Sequence, residues 1–149
     1  MTEFQGAGFK LELPDGAADA STFAFVLRAG GSFKPTAVVR RDRKPGLPAL
    51  IDHVVEQRSA IVQSVARFEL VSETIHQHRG RPAVTTRFEW NLPDGTRVAQ
   101  TQLYVWAAER ELVYCLTLTD RADATADSEA LFAQVLAAFE PNDRQVLAP

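Results

Sequence analysis

The sequence predicts an α+β domain, a mainly antiparallel twisted sheet of about six to seven strands with two principal helices. Three observations lead there. Stretches that alternate apolar and polar residues come in two blocks, three before one helical stretch and four after it, instead of alternating singly with helices. An Asp94-Gly95 pair separates two of those stretches as a hairpin turn. Apolar residues take the 3, 4, 7 spacing of an amphipathic helix in only two places.

Taken in order, Phe9, Leu11 and Leu13 alternate with Lys10 and Glu12 and stop at Pro14-Asp15-Gly16, a strand followed by a turn. Thr22 to Leu27 follows, with Phe23, Phe25 and Leu27 in one phase. Ala29-Gly30-Gly31 then turns the chain into a third strand, Pro35 to Arg40. From Leu47 to about Val65 the apolar positions Leu47, Leu50, Ile51, Val54, Val55, Ile61, Val62 and Val65 mark the first helix, with Pro48 suited to its first turn. Four strands come next: Phe68 to His76, Ala83 to Trp90, Val98 to Trp106 and Glu111 to Thr119. Asp127 or Ser128 is expected to cap a second helix that buries Leu131, Val135, Leu136 and Phe139 and ends at Pro141. The core spans about 9–140, with 141–149 a loose tail; one domain, 1–149, accounts for the chain.

Composition narrows the function. With 46% apolar residues and a net charge of -3, the chain has a proper core and no field to hold a polyphosphate, so nucleic acid is not an expected partner. The basic run Arg40, Arg41, Arg43 and Lys44 is broken by Asp42 and meets Pro45-Gly46, which reads as a solvated loop. Cys115 is the one cysteine and lies in an apolar strand, so it reads as a small hydrophobe. Met1 to Gly8 shows no secretory signal, and no apolar run approaches the ~20 residues that span a bilayer. The expectation is a soluble, cytoplasmic protein that is not embedded in a membrane.

Catalytic patterns are missing. His76 and His78 sit two apart near a strand end, but His53 and Cys115 lie on other elements with no metal-site spacing, so no metal is expected. Ser59, Ser64 and Ser72 have no glycine-framed elbow, and Asp52 and His53 point about 100° apart on a helix. Ala29-Gly30-Gly31 leads into a strand, not into the helix a phosphate loop would open. The reading is not an enzyme, with no cofactor.

The strands Val98 to Trp106 and Leu112 to Thr119 are apolar in both phases, so both faces of the sheet require cover. Two helices cover one face and at most the edge of the other, leaving an apolar strip with amides in it. Gln57 interrupts the helical stripe Leu50, Val54, Gln57, Ile61; Gln102 shares its phase with Val98, Gln100, Tyr104 and Trp106. A glutamine offers a donor and an acceptor without charge, which suits a surface holding polar groups of an apolar partner. It equally suits a solvated margin. Phe23 and Phe25 are open in the same way between core and surface.

Phe23-Ala24-Phe25, the helix segment Ile51 to Gln57, Gly80 to Val84 leading to Phe88-Glu89-Trp90, and Gln102 to Val105 together resemble the DcrB-like family, and more narrowly the Eag chaperones of bacterial type VI secretion. The resemblance runs from about Phe9 to Phe139. It implies the fold shared by Mog1 and PsbP proteins, and a cytoplasmic bacterial homodimer. Such a chaperone binds the N-terminal transmembrane-type helices of a secreted effector, shields them from water and helps load the effector on the secretion spike. Carried over by position, the client-facing residues are Phe23, Phe25, Val38, Gln57, Ile61, Val98 and Gln102. The chain departs from the family in its phenylalanines at 23 and 25 and in Gln100 beside Gln102, which implies a shallower groove. The alternative is a DcrB-like or PsbP-like adaptor for a soluble protein partner, with a small-molecule enzyme a third reading.

Overall fold

The computed structural model describes residues 2–6, 9–13, 22–27, 34–141 and 147–148. They form β1 (Thr2–Gly6), β2 (Phe9–Leu13), β3 (Thr22–Val26), β4 (Thr36–Arg43), α1 (Leu50–Ser64), β5 (Ala66–His78), β6 (Arg81–Asn91), β7 (Arg97–Ala107), β8 (Leu112–Arg121), α2 (Thr125–Ala138) and β9 (Leu147–Ala148). Six strands make one antiparallel sheet in the order β3-β4-β8-β7-β6-β5; β2, β1 and β9 make a separate three-stranded sheet.

The expected strands and helices are present, though α1 starts at Leu50 with Ala49 as its N-cap and leaves Leu47 and Pro48 outside it, and four further differences stand out. The strand Phe9–Leu13 belongs to the smaller sheet, pairing with β1, which a stretch with Phe4 as its only large apolar residue did not announce. The tail, expected loose, contributes β9 through the pairs Phe4↔Leu147 and Glu3↔Ala148, while 142–146 lie outside the described residues. The supposed solvated loop at Arg40 to Arg43 is part of β4, because the alternation of Val38, Arg40 and Asp42 simply continues along the strand. Finally, α2 starts at Thr125, and Ser128 is no cap: it is buried one turn in, its hydroxyl donating to the Ala124 carbonyl at 3.3 Å.

Connectivity explains why the helices part. β4 and β5 run in the same direction with three strands between them, so the chain must cross the sheet, and α1 is that crossover. It drops Leu50 and Val54 onto Val84, Tyr104, Val113 and Cys115. On the opposite face α2 sets Phe132, with Val135, Leu136 and Phe139, against Ala83, Leu103, Val105, Leu116 and Leu118. One helix therefore covers each face, not two helices one face. That arrangement accounts for β7 and β8 being apolar in both phases: Leu103 and Tyr104 are neighbours in sequence, 1% exposed each, and belong to different cores.

Two turns lock the frame. Arg79 and Gly80 both adopt positive φ (51° and 78°), the backbone of a tight two-residue hairpin between β5 and β6. Its tip holds the end of α2: His78 Nε2 donates to the Phe139 carbonyl at 2.6 Å, and Arg79 donates to Phe139 and Ala137 carbonyls at 3.2 and 2.9 Å. A cation there suits the negative end of the helix. At the other end of the sheet, Gly95 (φ 89°) closes the β6–β7 hairpin, and Asp94 Oδ1 accepts the Thr96 amide at 2.8 Å.

Candidate functional site

Residues paired across antiparallel strands share a face, so the register sorts the candidate residues. Val38 pairs with Thr117, and Thr117 with Gln102, which puts all three on the α1 side of the sheet. Thr36, Thr119 and Gln100 form the next row on that side. Val98 shares the side but is 1% exposed, so it is buried there. Phe23 pairs with Val39 and Phe25 with Ala37, so both lie on the α2 side. The structure thus brings Val38 and Gln102 together below α1, which carries Gln57 and Ile61, and sets Phe23 and Phe25 apart on the other face.

Between α1 and the β3 edge runs a half-buried strip of mixed chemistry. Arg40, from β4, donates to Gln57 Oε1 at 2.9 Å and so fastens α1 to the strand. Tyr104 donates to Gln102 Oε1 at 2.7 Å, and Gln102 Nε2 donates to Thr117 Oγ1 at 3.3 Å. Gln100 Nε2 donates to Thr119 Oγ1 at 3.0 Å. Gln102 is itself 5% exposed and satisfied within the protein; the half-buried surface belongs to Val38, Gln57, Ile61, Gln100, Thr117 and Thr119. The two threonines were missed in the sequence, although their alternation with Leu116 and Leu118 marks them as the polar phase of β8.

Beside the strip lies His53, fully buried at the start of α1. Its ring meets Tyr104 edge-on at 5.9 Å, Nε2 stands 3.8 Å from Asp42 Oδ2, and neither ring nitrogen has a hydrogen-bond partner among the described residues. Burial pushes its pKa below the ordinary value, Lys44 and Arg40 push the same way, and Asp42 and Glu56 oppose them. Burial likewise raises the Tyr104 phenol and the Cys115 thiol, which keeps both neutral. The unfolded chain protonates His53 near 6.5 and the folded chain only at lower pH, so stability is expected to fall as pH drops through 6.5 toward the folded value. His53→Leu should remove that part of the acid sensitivity. Urea midpoints at pH 7.5, 6.5 and 5.5 check it; equal pH slopes for variant and parent would reject it.

The remaining candidates for chemistry are engaged structurally. His76 Nε2 contacts Thr85 Oγ1 at 2.7 Å and His78 holds α2. Ser59 and Ser64 donate back to helix carbonyls. Among the described residues no three His, Cys, Asp or Glu side chains gather as metal ligands, and no helix is long and apolar enough to cross a membrane. On the α2 side a cleft of about 190 Å³ lies between Thr85, Arg87, Ala99 and Thr101 of the sheet and Phe132 and Leu136 of the helix.

Comparison with known proteins agrees with this architecture. PA94 of Pseudomonas aeruginosa, a protein of unknown function, superposes with a TM-score of 0.78 at 23% identity, covering 95% of this chain and 97% of that one. The Saccharomyces cerevisiae Ran-binding protein Mog1p gives 0.50 at 12% identity, over 80% and 69% of the two chains. The Synechocystis PsbP protein CyanoP gives 0.54 at 13% identity, over 89% and 99%. At such identities these neighbours show a shared fold, the Mog1/PsbP-like one. No curated protein sequence matches. The DcrB family model matches residues 9–138, and the chain belongs to the DcrB family.

Proposed function

We propose that the protein is a chaperone and adaptor that holds apolar helical segments of a protein client on the strip beside α1. The client it fits is the N-terminal transmembrane-type helix region of a type VI secretion effector, shielded in the bacterial cytoplasm and handed on to the secretion spike. The observation that carries this reading is the strip itself: a half-buried surface in which the apolar Val38 and Ile61 stand among the uncharged polar groups of Gln57, Gln100, Thr117 and Thr119, with Arg40 at one end held by Gln57. A membrane-type helix exposes apolar side chains along ~30 Å of length in water. At ~25 cal/mol per Å2, covering part of it supplies several kcal/mol. The uncharged amides and hydroxyls bond small polar groups on such helices without the desolvation cost of an ion.

The test fuses an effector-derived segment of ~20 apolar residues to a soluble reporter and co-expresses it with this chain, without detergent. The fusion is expected in the soluble fraction, bound to the chain, and Val38→Asp is expected to abolish that at an unchanged melting temperature. A fusion that sediments equally with and without the chain would overturn the reading.

A second reading, an adaptor for a soluble folded partner, has an observation of its own. On the far flank of α1, Leu70, Val71 and Ile75 of β5 are 42%, 54% and 71% exposed, next to a helix that exposes Val55 and Val62. Capture of the partner that survives Val38→Asp and fails with Ile75→Asp would favour it.

A further inference from the structure

The cleft beside α2 lies on the face of the sheet opposite the strip, between one helix stripe and two strands. Glu129, Phe132, Ala133 and Leu136 line it from α2 at the i, i+3, i+4, i+7 spacing of a single helix face. Thr85 and Arg87 line it from β6, and Thr101 of β7 pairs with Arg87 across the strands. Its volume of about 190 Å³ falls well under the ~300–1,000 Å³ of a pocket for a drug-sized ligand. At ~30 Å³ per water it has room for about six waters, the size of one small molecule and too little for a nucleotide.

Polarity is arranged end to end in this cleft. The helix arrives at the β5–β6 turn, where His78 holds the Phe139 carbonyl, and β6 leaves from that turn. Leu136 is two helical turns nearer to it than Glu129, and Thr85 is nearer to it than Arg87. Arg87 and Glu129 therefore occupy the same end, and Phe132, Ala133 and Leu136 line the remainder. Among the described residues neither charge has an ion pair or hydrogen bond, with the other or with anything else. Glu89, the next residue on that face of β6, is held by Arg97 at 3.0 Å. Arg87 is half-buried, so its guanidinium has lost part of its hydration with no carboxylate in return.

We propose that the cleft binds a free α-amino acid with an apolar side chain. The ligand carboxylate meets the planar fork of the Arg87 guanidinium, which suits two parallel hydrogen bonds, with the Thr101 hydroxyl beside it. The ligand ammonium sits toward Glu129, and the side chain lies against Phe132, Ala133 and Leu136. A ligand with both charges on one carbon answers both groups at the one end of the cleft. A simple fatty acid would set its carboxylate against Glu129, and a simple amine would leave Arg87 without a partner. Glu129 is exposed at the mouth while Phe132 is 8% exposed and forms the floor, so the charged end faces water and the apolar end does not. The site is independent of the client reading, since the strip is on the other face.

Titration of the full chain with L-leucine, followed by backbone amide NMR up to ~20 mM to suit a ligand of so few atoms, tests the site. Saturable shifts centred on Arg87, Thr101 and Phe132 are expected. Isocaproate, which lacks the ammonium, and leucinamide, which lacks the carboxylate, are each expected to bind about tenfold more weakly or worse. Arg87→Met keeps the apolar stem, removes the charge and should abolish leucine binding. Glu129→Gln should weaken leucine about tenfold while isocaproate binds no worse. Both variants should melt as the parent does, because neither side chain holds a structural partner among the described residues. The proposal is overturned by the absence of saturable shifts, or by leucine binding that survives Arg87→Met. Isocaproate that matches leucine and ignores Glu129→Gln overturns it as well, since the cleft would then recognise a carboxylate alone, as at the end of a peptide.

Discussion

Leu103→Ala and Tyr104→Ala are each expected to destabilise the protein strongly, by about 2–5 and 3–5 kcal/mol, although the two side chains point in opposite directions. Leu103 packs under α2 with Val105, Leu116 and Leu118; Tyr104 packs under α1 with Leu50, Val54 and Cys115. Both are 1% exposed, so each truncation leaves a cavity in a close-packed layer. Against a typical total of 5–15 kcal/mol, either one removes a large fraction. Urea unfolding should show lower midpoints with unchanged slopes. A small effect at Tyr104 alone would mean that α1 does not cover its face. Tyr104→Phe separates volume from polarity, since it strands Gln102 Oε1 and is expected to cost about 1–3 kcal/mol.

That pair of positions also shows what could be read in the sequence. Alternation gave the strands, and the double-phase apolarity of β7 and β8 said that both faces require cover, although the expectation that two helices would share one face was wrong. The pattern did not say what covers each. One helix per face follows from β4 and β5 being parallel and separated by three strands, a long-range fact absent from any local pattern. The same cause divided the site. Gln57 and Gln102 were legible as interruptions in apolar stripes, whereas Val38 and Ile61 came from the family resemblance; Val38 and Gln102 share the face that α1 covers, and Gln57 reaches it through Arg40. Phe23 and Phe25, open in the sequence between core and surface, take the other face, because facing is set by the cross-strand partners Val39 and Ala37. Short elements such as β1 and β9 have too few alternating residues to announce themselves. Arg40 looked like surface charge, and only its hydrogen bond to Gln57 reveals it as the tie between strand and helix.

Gln102→Glu is expected to cost about 3 kcal/mol near neutral pH, and the loss should shrink as the pH falls. Gln102 is 5% exposed, accepts from the Tyr104 hydroxyl and donates to Thr117 Oγ1. A carboxylate keeps the acceptor and loses the donor, and it must be ionised in a buried position. Burial therefore raises the pKa of the new group above its unfolded value near 4.3. The folded variant binds the proton first as pH falls, so the difference from the parent narrows below the raised pKa. Protonated, the side chain again offers one donor to Thr117 and one acceptor to Tyr104. Urea midpoints of variant and parent compared at pH 8 and pH 5 decide the matter, with the comparison cancelling the contribution of His53. A cost that stays constant with pH would place Gln102 at a solvated margin. A cost that narrows identifies it as the buried base of the strip, whose half-buried members Val38, Gln57 and Thr117 are the ones left to touch a client.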